Sequence, residues 1–183
     1  PSATPAADDI AYQATGLPRD TVLFTVDGRE VTADQYLYWL LTSISTAKNA
    51  GYLADDTAWE EEIEGTPTAD YLKQNAQDIS KLYAAVANHA EAAGATVTEE
   101  QRAEAEEQLE QMGSMYEMYY GLTMQEWLDQ QCITRESYLS LNDAYYQVQN
   151  LQSSMEESGE LTPTDEDIHN MIDSEGIYNC KLI

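Results

Sequence analysis

Between Thr21 and Leu41 the apolar and polar positions predict a strand, a tight turn, a second short strand and the start of a helix. Val22–Val26 is the first predicted strand, and Asp27-Gly28 favours a two-residue hairpin turn, because Gly tolerates the positive φ of a type I′ turn. Thr32–Gln35 has the form of a capping box, and the apolar run Tyr36–Leu41 follows at once. This is the only clear hairpin signal in the chain.

The rest of the chain has helical periodicity up to its last residues. Thr68, Thr98, Thr123, Thr134 and Thr164 each precede such a segment and are predicted N-caps. The predicted helices cover 33–49, a short acidic stretch within 55–64, 69–93, 99–120, 124–131, 135–157 and 165–174. Residues 177–183 are predicted to form a strand.

These elements predict a mainly α, multi-helix domain with an N-terminal β-hairpin and a C-terminal strand. Residues 1–20 are predicted to be a linker or loosely held arm, and 21–175 the helical domain. Pro1–Ala7 is small and polar and contains proline, as in a linker that follows a removed export signal or at an artificial boundary.

The charge balance excludes one class of partner. Eight Lys and Arg stand against 34 Asp and Glu, for a formal net charge of −26. Binding to nucleic-acid phosphates needs a basic surface, so we expect no nucleic-acid partner. The charge fits either a preference for basic partners or simple solubility.

No motif for covalent, metal or cofactor chemistry is present. Cys132 and Cys180 are far apart and form no CxxC or Cys/His cluster, so a disulfide and two free thiols both stay open. The acids around His169 do not match a calcium loop, because Asn170 stands where an EF-hand needs Gly, and an acidic first helical turn explains them. We therefore expect no catalytic residue, metal or cofactor in this chain.

One cluster of Met and aromatic residues stands out, because such side chains re-pack around varied apolar partners. The alternative is a core stripe at helical spacing, but the cluster cannot all face one way, so we expect some of it to be exposed. The candidate peptide-binding residues are Met112, Met115, Tyr116, Tyr119, Tyr120, Met124 and Trp127, with Tyr36, Trp39 and Tyr145 as weaker candidates.

The order of these elements resembles that of the SurA-like and PrsA-like extracytoplasmic foldases. The hairpin and helix start at 21–40 resemble the opening of that family, and the helix junction at 84–109 and the capped segment at 121–141 resemble two later family motifs. Matching positions are Ala90, Ala93, Gly94, Val97, Thr98, Glu99, Gly121, Thr123, Trp127, Leu128, Ile133, Thr134 and Tyr138, whereas Cys132 replaces the usual Gly.

The resemblance implies the helical chaperone domain of an exported, parvulin-type prolyl isomerase, secreted or anchored on the outer face of a bacterial cell. It implies unfolded or nascent exported polypeptides as partners, chain termini that come together, and the start of a truncated isomerase module at 176–183. Lys181 stands where the family's isomerase strand usually has His. An active isomerase, and a cell-surface module that forms a homodimer by exchanging terminal elements, are the alternatives.

Overall fold

The computed structural model describes residues 9–54, 56–162 and 164–175. Within them the chain is mainly α, with seven α-helices and a two-stranded antiparallel hairpin near the N-terminus, which confirms the predicted fold class. The strand predicted at 177–183 and the segment 176–183 lie outside the described residues.

The described elements follow the predicted order closely. The main hairpin consists of β1 (Val22–Val26) and β2 (Arg29–Thr32), and a smaller one of β3 (Glu62–Ile63) and β4 (Thr66–Pro67). A 3₁₀ helix spans Asp56–Glu60. The α-helices are α1 (Ile10–Thr15), α2 (Ala33–Asn49), α3 (Thr68–Ala92), α4 (Glu99–Tyr120), α5 (Met124–Gln130), α6 (Arg135–Ser158) and α7 (Asp165–Glu175).

The predicted turn of the main hairpin is confirmed. Val26 pairs with Arg29, and the two central residues, Asp27 and Gly28, have φ values of 49° and 86°, as a type I′ turn requires. The hairpin contacts α3, where the Asn88 side chain donates to the Val26 carbonyl at 2.8 Å and accepts from Arg29 at 2.8 Å. These contacts supply the packing that a two-stranded hairpin needs in water.

The segment before α3 differs from its prediction. A 3₁₀ helix and the β3–β4 hairpin replace the expected short acidic helix, and Glu64 and Gly65 form the turn with positive φ. Strands of two residues carry no alternation, so periodicity could not predict them. Thr68 is the first helical residue rather than the N-cap, a position held by Pro67, and its hydroxyl donates to the Glu61 carbonyl at 2.8 Å.

Residues 9–20 are not the linker that the sequence predicts. They include α1, in which Ala11 is fully buried. The Arg19 guanidinium, only 13% exposed, pairs with Asp9 at 2.9 Å and with Asp129 of α5 at 3.1 Å. Burial alone would raise the pKa of Asp9, but the hydrogen bond from Arg19 and those from two backbone amides lower it. The short helix was missed because it has little periodicity of its own.

A buried carboxylate joins the starts of α2 and α6. Asp34 is 2% exposed, and its Oδ1 accepts from the Thr32 hydroxyl at 2.6 Å and the Gln35 amide at 2.8 Å. Its Oδ2 accepts from the amide and the hydroxyl of Thr134, the N-cap of α6, at 3.2 and 3.0 Å. Four donors therefore converge on one side chain, as a buried carboxylate requires.

The helices enclose two small hydrophobic cores. The first lies where α2 and α3 meet the 3₁₀ helix, around Leu53 and Leu72, and the second lies between α4 and α6, around Leu109 and Leu139. Gly113 lets α5 approach α4 closely, since a Cβ on it would lie 2.9 Å from the Met124 Cβ. This approach brings the Met and aromatic residues of α4 and α5 together.

Candidate functional site

A continuous chain of aromatic rings, here called the aromatic band, runs through five helices. Neighbouring ring centroids lie 4.6 to 5.7 Å apart, and most of the ring pairs are tilted or edge-to-face. In order along the band, its rings are Tyr83 of α3, Trp39 and Tyr38 of α2, Tyr138 of α6, Trp127 of α5, and Tyr116 and Tyr120 of α4.

Burial in the middle of the band changes the acidity of its phenols. Burial raises the pKa of Tyr38 to about 12, with smaller contributions from Tyr138, Tyr83 and Tyr116. Burial also raises the pKa of Tyr138. The neutral phenols of Tyr38 and Tyr138 are thus favoured, as expected for a packed interior between helices.

We expect an alkaline titration of tyrosinate absorbance to end with a late step near pH 12, and a Tyr38→Phe variant to lack it. Because the folded-state pKa lies above the ordinary value of 10, the stability that Tyr38 contributes is fully present below pH 10 and is lost as the pH rises toward 12. Tyr52→Phe is the control, since it removes one phenol outside the band. A late step that persists in Tyr38→Phe would contradict the assignment.

The band ends in an exposed apolar surface at the C-terminus of α4, here called the α4 rim. It consists of four side chains, of which Met115 is 51% exposed, Met118 76%, Tyr119 71% and Tyr120 70%. The rim confirms the expectation that part of the Met and aromatic cluster faces solvent. Exposed apolar side chains that lie together on a surface are typical of interaction sites.

The other members of the predicted cluster are only partly exposed and pack against neighbouring side chains. Met112 and Met124 pack against the core between α4 and α6. Tyr116 and Trp127 are half-buried and stack at 5.4 Å within the aromatic band. The structure thus divides the cluster into a packed base and an exposed rim on one helix.

A groove of about 350 Å³ lies between α4 and α6, next to the band, and is here called the α4–α6 groove. Tyr138, a ring of the band, and Met112 of α4 both line this groove. The groove therefore lies beside the band and along the same helix, α4, that carries the rim. The residues that line it are Ala105, Gln108, Leu109, Met112, Tyr138, Asn142, Tyr145 and Tyr146.

Two tyrosines give the α4–α6 groove its polar and aromatic character. Tyr145 is 65% exposed, and its ring meets that of Tyr146 edge-on at 5.3 Å. Tyr146 is only 5% exposed, and its buried hydroxyl has no partner in hydrogen-bond geometry. The carboxylate of Glu104 and the side chain of Gln108 nevertheless lie close enough to affect its pKa, which burial and Glu104 raise.

The two remaining weaker candidates lie elsewhere. The Tyr36 hydroxyl donates to the Lys73 carbonyl at 3.3 Å, away from α4. Trp39 belongs to the aromatic band and lines a cavity of about 70 Å³ beneath the hairpin, where its buried Nε1 has no hydrogen-bond partner. Of the three weaker candidates, only Tyr145 lies in the α4–α6 groove.

The acidic charge of the chain is not neutralised internally. Of the seven basic side chains in the described residues, six pair with carboxylates of the chain, including Arg102 with Asp143 and Arg135 with Glu110. The helix α4 alone has seven Glu and a single Arg, and its last turn has no basic residue. The surface along α4 therefore attracts cations.

Two observations on the described residues concern cysteine and metal-ligand chemistry. Cys132 is a buried free thiol, and burial raises its pKa, which disfavours the reactive thiolate. Among residues 9–54, 56–162 and 164–175, no group of three or more His, Cys, Asp or Glu could hold a metal ion. None of the described helices is long and apolar enough to cross a membrane.

Sequence reasoning missed Tyr38, Tyr83, Tyr138 and Tyr146 as parts of this site. They lie on three helices at no common spacing, and the only available signal was the count of 13 tyrosines against one phenylalanine. Comparison with protein-family models, with curated proteins and with solved structures found no match.

Proposed function

We propose that this chain binds unfolded or translocated polypeptides, as the chaperone domain of an exported foldase. The observation that carries the proposal is the α4 rim, in which two methionines and two tyrosines are at least half exposed on a packed aromatic base. Flexible Met and amphipathic Tyr side chains suit low-specificity contact with apolar segments. The sequence resemblance to SurA-like and PrsA-like foldases supports the same assignment and an extracytoplasmic location.

The charge distribution supports unfolded polypeptides over a second copy of the chain as the occupant of the rim. Each copy has a net charge of −26, so two rims brought together would add strong repulsion to any apolar gain. An unfolded client with basic residues gains both apolar contact and electrostatic attraction. Affinity for such clients is expected to fall as salt screens the attraction.

The test is suppression of aggregation of a chemically denatured client with net positive charge, followed by light scattering. We expect a several-fold molar excess of the chain to reduce scattering, because the rim covers exposed apolar segments of the client. An equally acidic folded protein without an apolar surface is the control for charge alone. Scattering unchanged by the chain, or reduced equally by the control, would contradict the proposal, and a dimer in sedimentation analysis would favour the oligomerisation alternative.

A further inference from the structure

We infer that the α4–α6 groove takes a basic side chain of the bound client, with a guanidinium preferred. The inference rests on the proposed polypeptide binding and specifies its chemistry. It concerns a different part of the surface from the α4 rim, which contacts apolar side chains. The α4 rim and the α4–α6 groove would then bind side chains at neighbouring positions of one extended client segment.

The apolar part of the groove fits the stem of a long basic side chain. Ala105, Leu109 and Met112 supply aliphatic surface along one face of α4. A volume of about 350 Å³ leaves room for a side chain and water. Arg and Lys commonly lay their methylene groups on such surfaces while the charged end stays in a polar environment.

The polar part of the groove is suited to a cation. The Tyr146 hydroxyl is buried close to Glu104 and Gln108 and makes no hydrogen bond of good geometry with either, so its oxygen can accept from a guanidinium. Glu104 does not line the groove, but its exposed carboxylate lies beside the Tyr146 hydroxyl. It accepts from Gln108, a lining residue, at 3.2 Å and keeps further acceptor capacity. The exposed ring of Tyr145 offers a face on which a planar guanidinium can stack.

The arginines of α4 and of the start of α6 are paired elsewhere and leave this position open. Arg102, the single basic residue of α4, donates to Asp143 instead. Arg135, at the start of α6, pairs with Glu110 at 2.7 Å. A client cation would therefore reach Glu104 and Tyr146 without competition from these two arginines, and charge complementarity favours it over a neutral or acidic side chain.

The experiment compares two fluorescent peptides of the same apolar sequence, one with a central arginine and one with citrulline, which has nearly the same shape but no charge. Fluorescence anisotropy would measure binding to the wild-type chain at low and high salt. We expect the arginine peptide to bind about fivefold more tightly at low salt. High salt should shrink this preference, because it screens the exposed Glu104.

Three variants locate the preference. Glu104→Gln should remove most of it and Tyr146→Phe should reduce it, whereas Glu106→Gln, the same charge change elsewhere on α4, should retain it. Circular dichroism would confirm that each variant is folded. Equal binding of both peptides to the wild type, or a loss in Glu106→Gln equal to that in Glu104→Gln, would overturn the inference while leaving the proposed function in place. Binding of neither peptide would overturn both.

Discussion

Replacing Asp34 by asparagine is expected to lower the free energy of unfolding by about 2 kcal/mol. An asparagine has one oxygen where Asp34 has two, and its amide nitrogen cannot accept a hydrogen bond. The amide group has two orientations. In one, its NH₂ points at the backbone N–H of Gln35, and in the other at the backbone N–H of Thr134, so two donors face each other in either case. One buried N–H then loses its partner, and if that N–H is the one of Thr134, the link between α2 and α6 is weakened as well.

The measurement is urea denaturation at neutral pH with helical circular dichroism as the signal. Asp34→Ala should cost about 4 kcal/mol, because all four donors lose their acceptor. The matched control is Asp143→Asn, a change at another buried aspartate, whose Oδ2 accepts only from Arg102 and whose Oδ1 has no partner. An Asp34→Asn midpoint as high as that of Asp143→Asn would contradict the structural role of Asp34.

The pH dependence of the control has a definite sign. Burial raises the pKa of Asp143 above its ordinary value of 3.8, and this outweighs the lowering by Arg102. The folded state therefore takes up the proton before the unfolded state does, and the wild type gains stability relative to Asp143→Asn as the pH falls toward 3.8. At neutral pH we expect Asp143→Asn to be about as stable as the wild type, within about 1 kcal/mol.

Changing three residues of the α4 rim to glutamine should weaken client binding by about tenfold or more, with little effect on stability. The variant combines Met115→Gln, Met118→Gln and Tyr119→Gln, and leaves Tyr120 in place because its ring contacts Tyr116. Glutamine keeps the net charge and a good helix propensity, so only apolar surface is lost. Anisotropy with an apolar peptide would measure affinity, and urea denaturation would measure stability.

A control with the same chemistry is available elsewhere on the surface. Tyr52, Leu82 and Met171 are 55%, 60% and 55% exposed, and changing all three to glutamine removes similar apolar area away from α4. We expect this variant to bind as the wild type does. Equal loss of binding in both variants would mean that general surface hydrophobicity, and not the α4 rim, determines affinity.

The helices could be predicted because their signals are local. The bounds of α2 and α4 agree with prediction, since Thr32 and Thr98 begin them and Gly121 ends α4 with a φ of 66°. The β3–β4 hairpin could not be predicted, because two-residue strands have no measurable period.

The candidate site was predictable only in part. Composition indicated the Met and aromatic cluster, and the helical spacing showed that some of it must be exposed. Sequence alone could not separate the packed Met112 and Met124 from the exposed Met115 and Met118, because that depends on which face of α4 meets α5 and α6. The close approach of Gly113 to Met124 is one contact that fixes where α5 lies against α4.

The sequence by itself therefore determines the main hairpin and four of the helices: the type I′ turn at Asp27-Gly28, the threonine N-caps of α2, α4, α5 and α6, and the lengths of these helices. Tertiary packing alone decides the aromatic band, the α4–α6 groove and the Asp34–Thr134 link, which joins residues 100 positions apart. Caps and turns depend on residues within a few positions of each other, so they favour the same local conformations even in a chain that has not yet become compact. The band and the groove exist only where distant helices meet, so no local pattern specifies them.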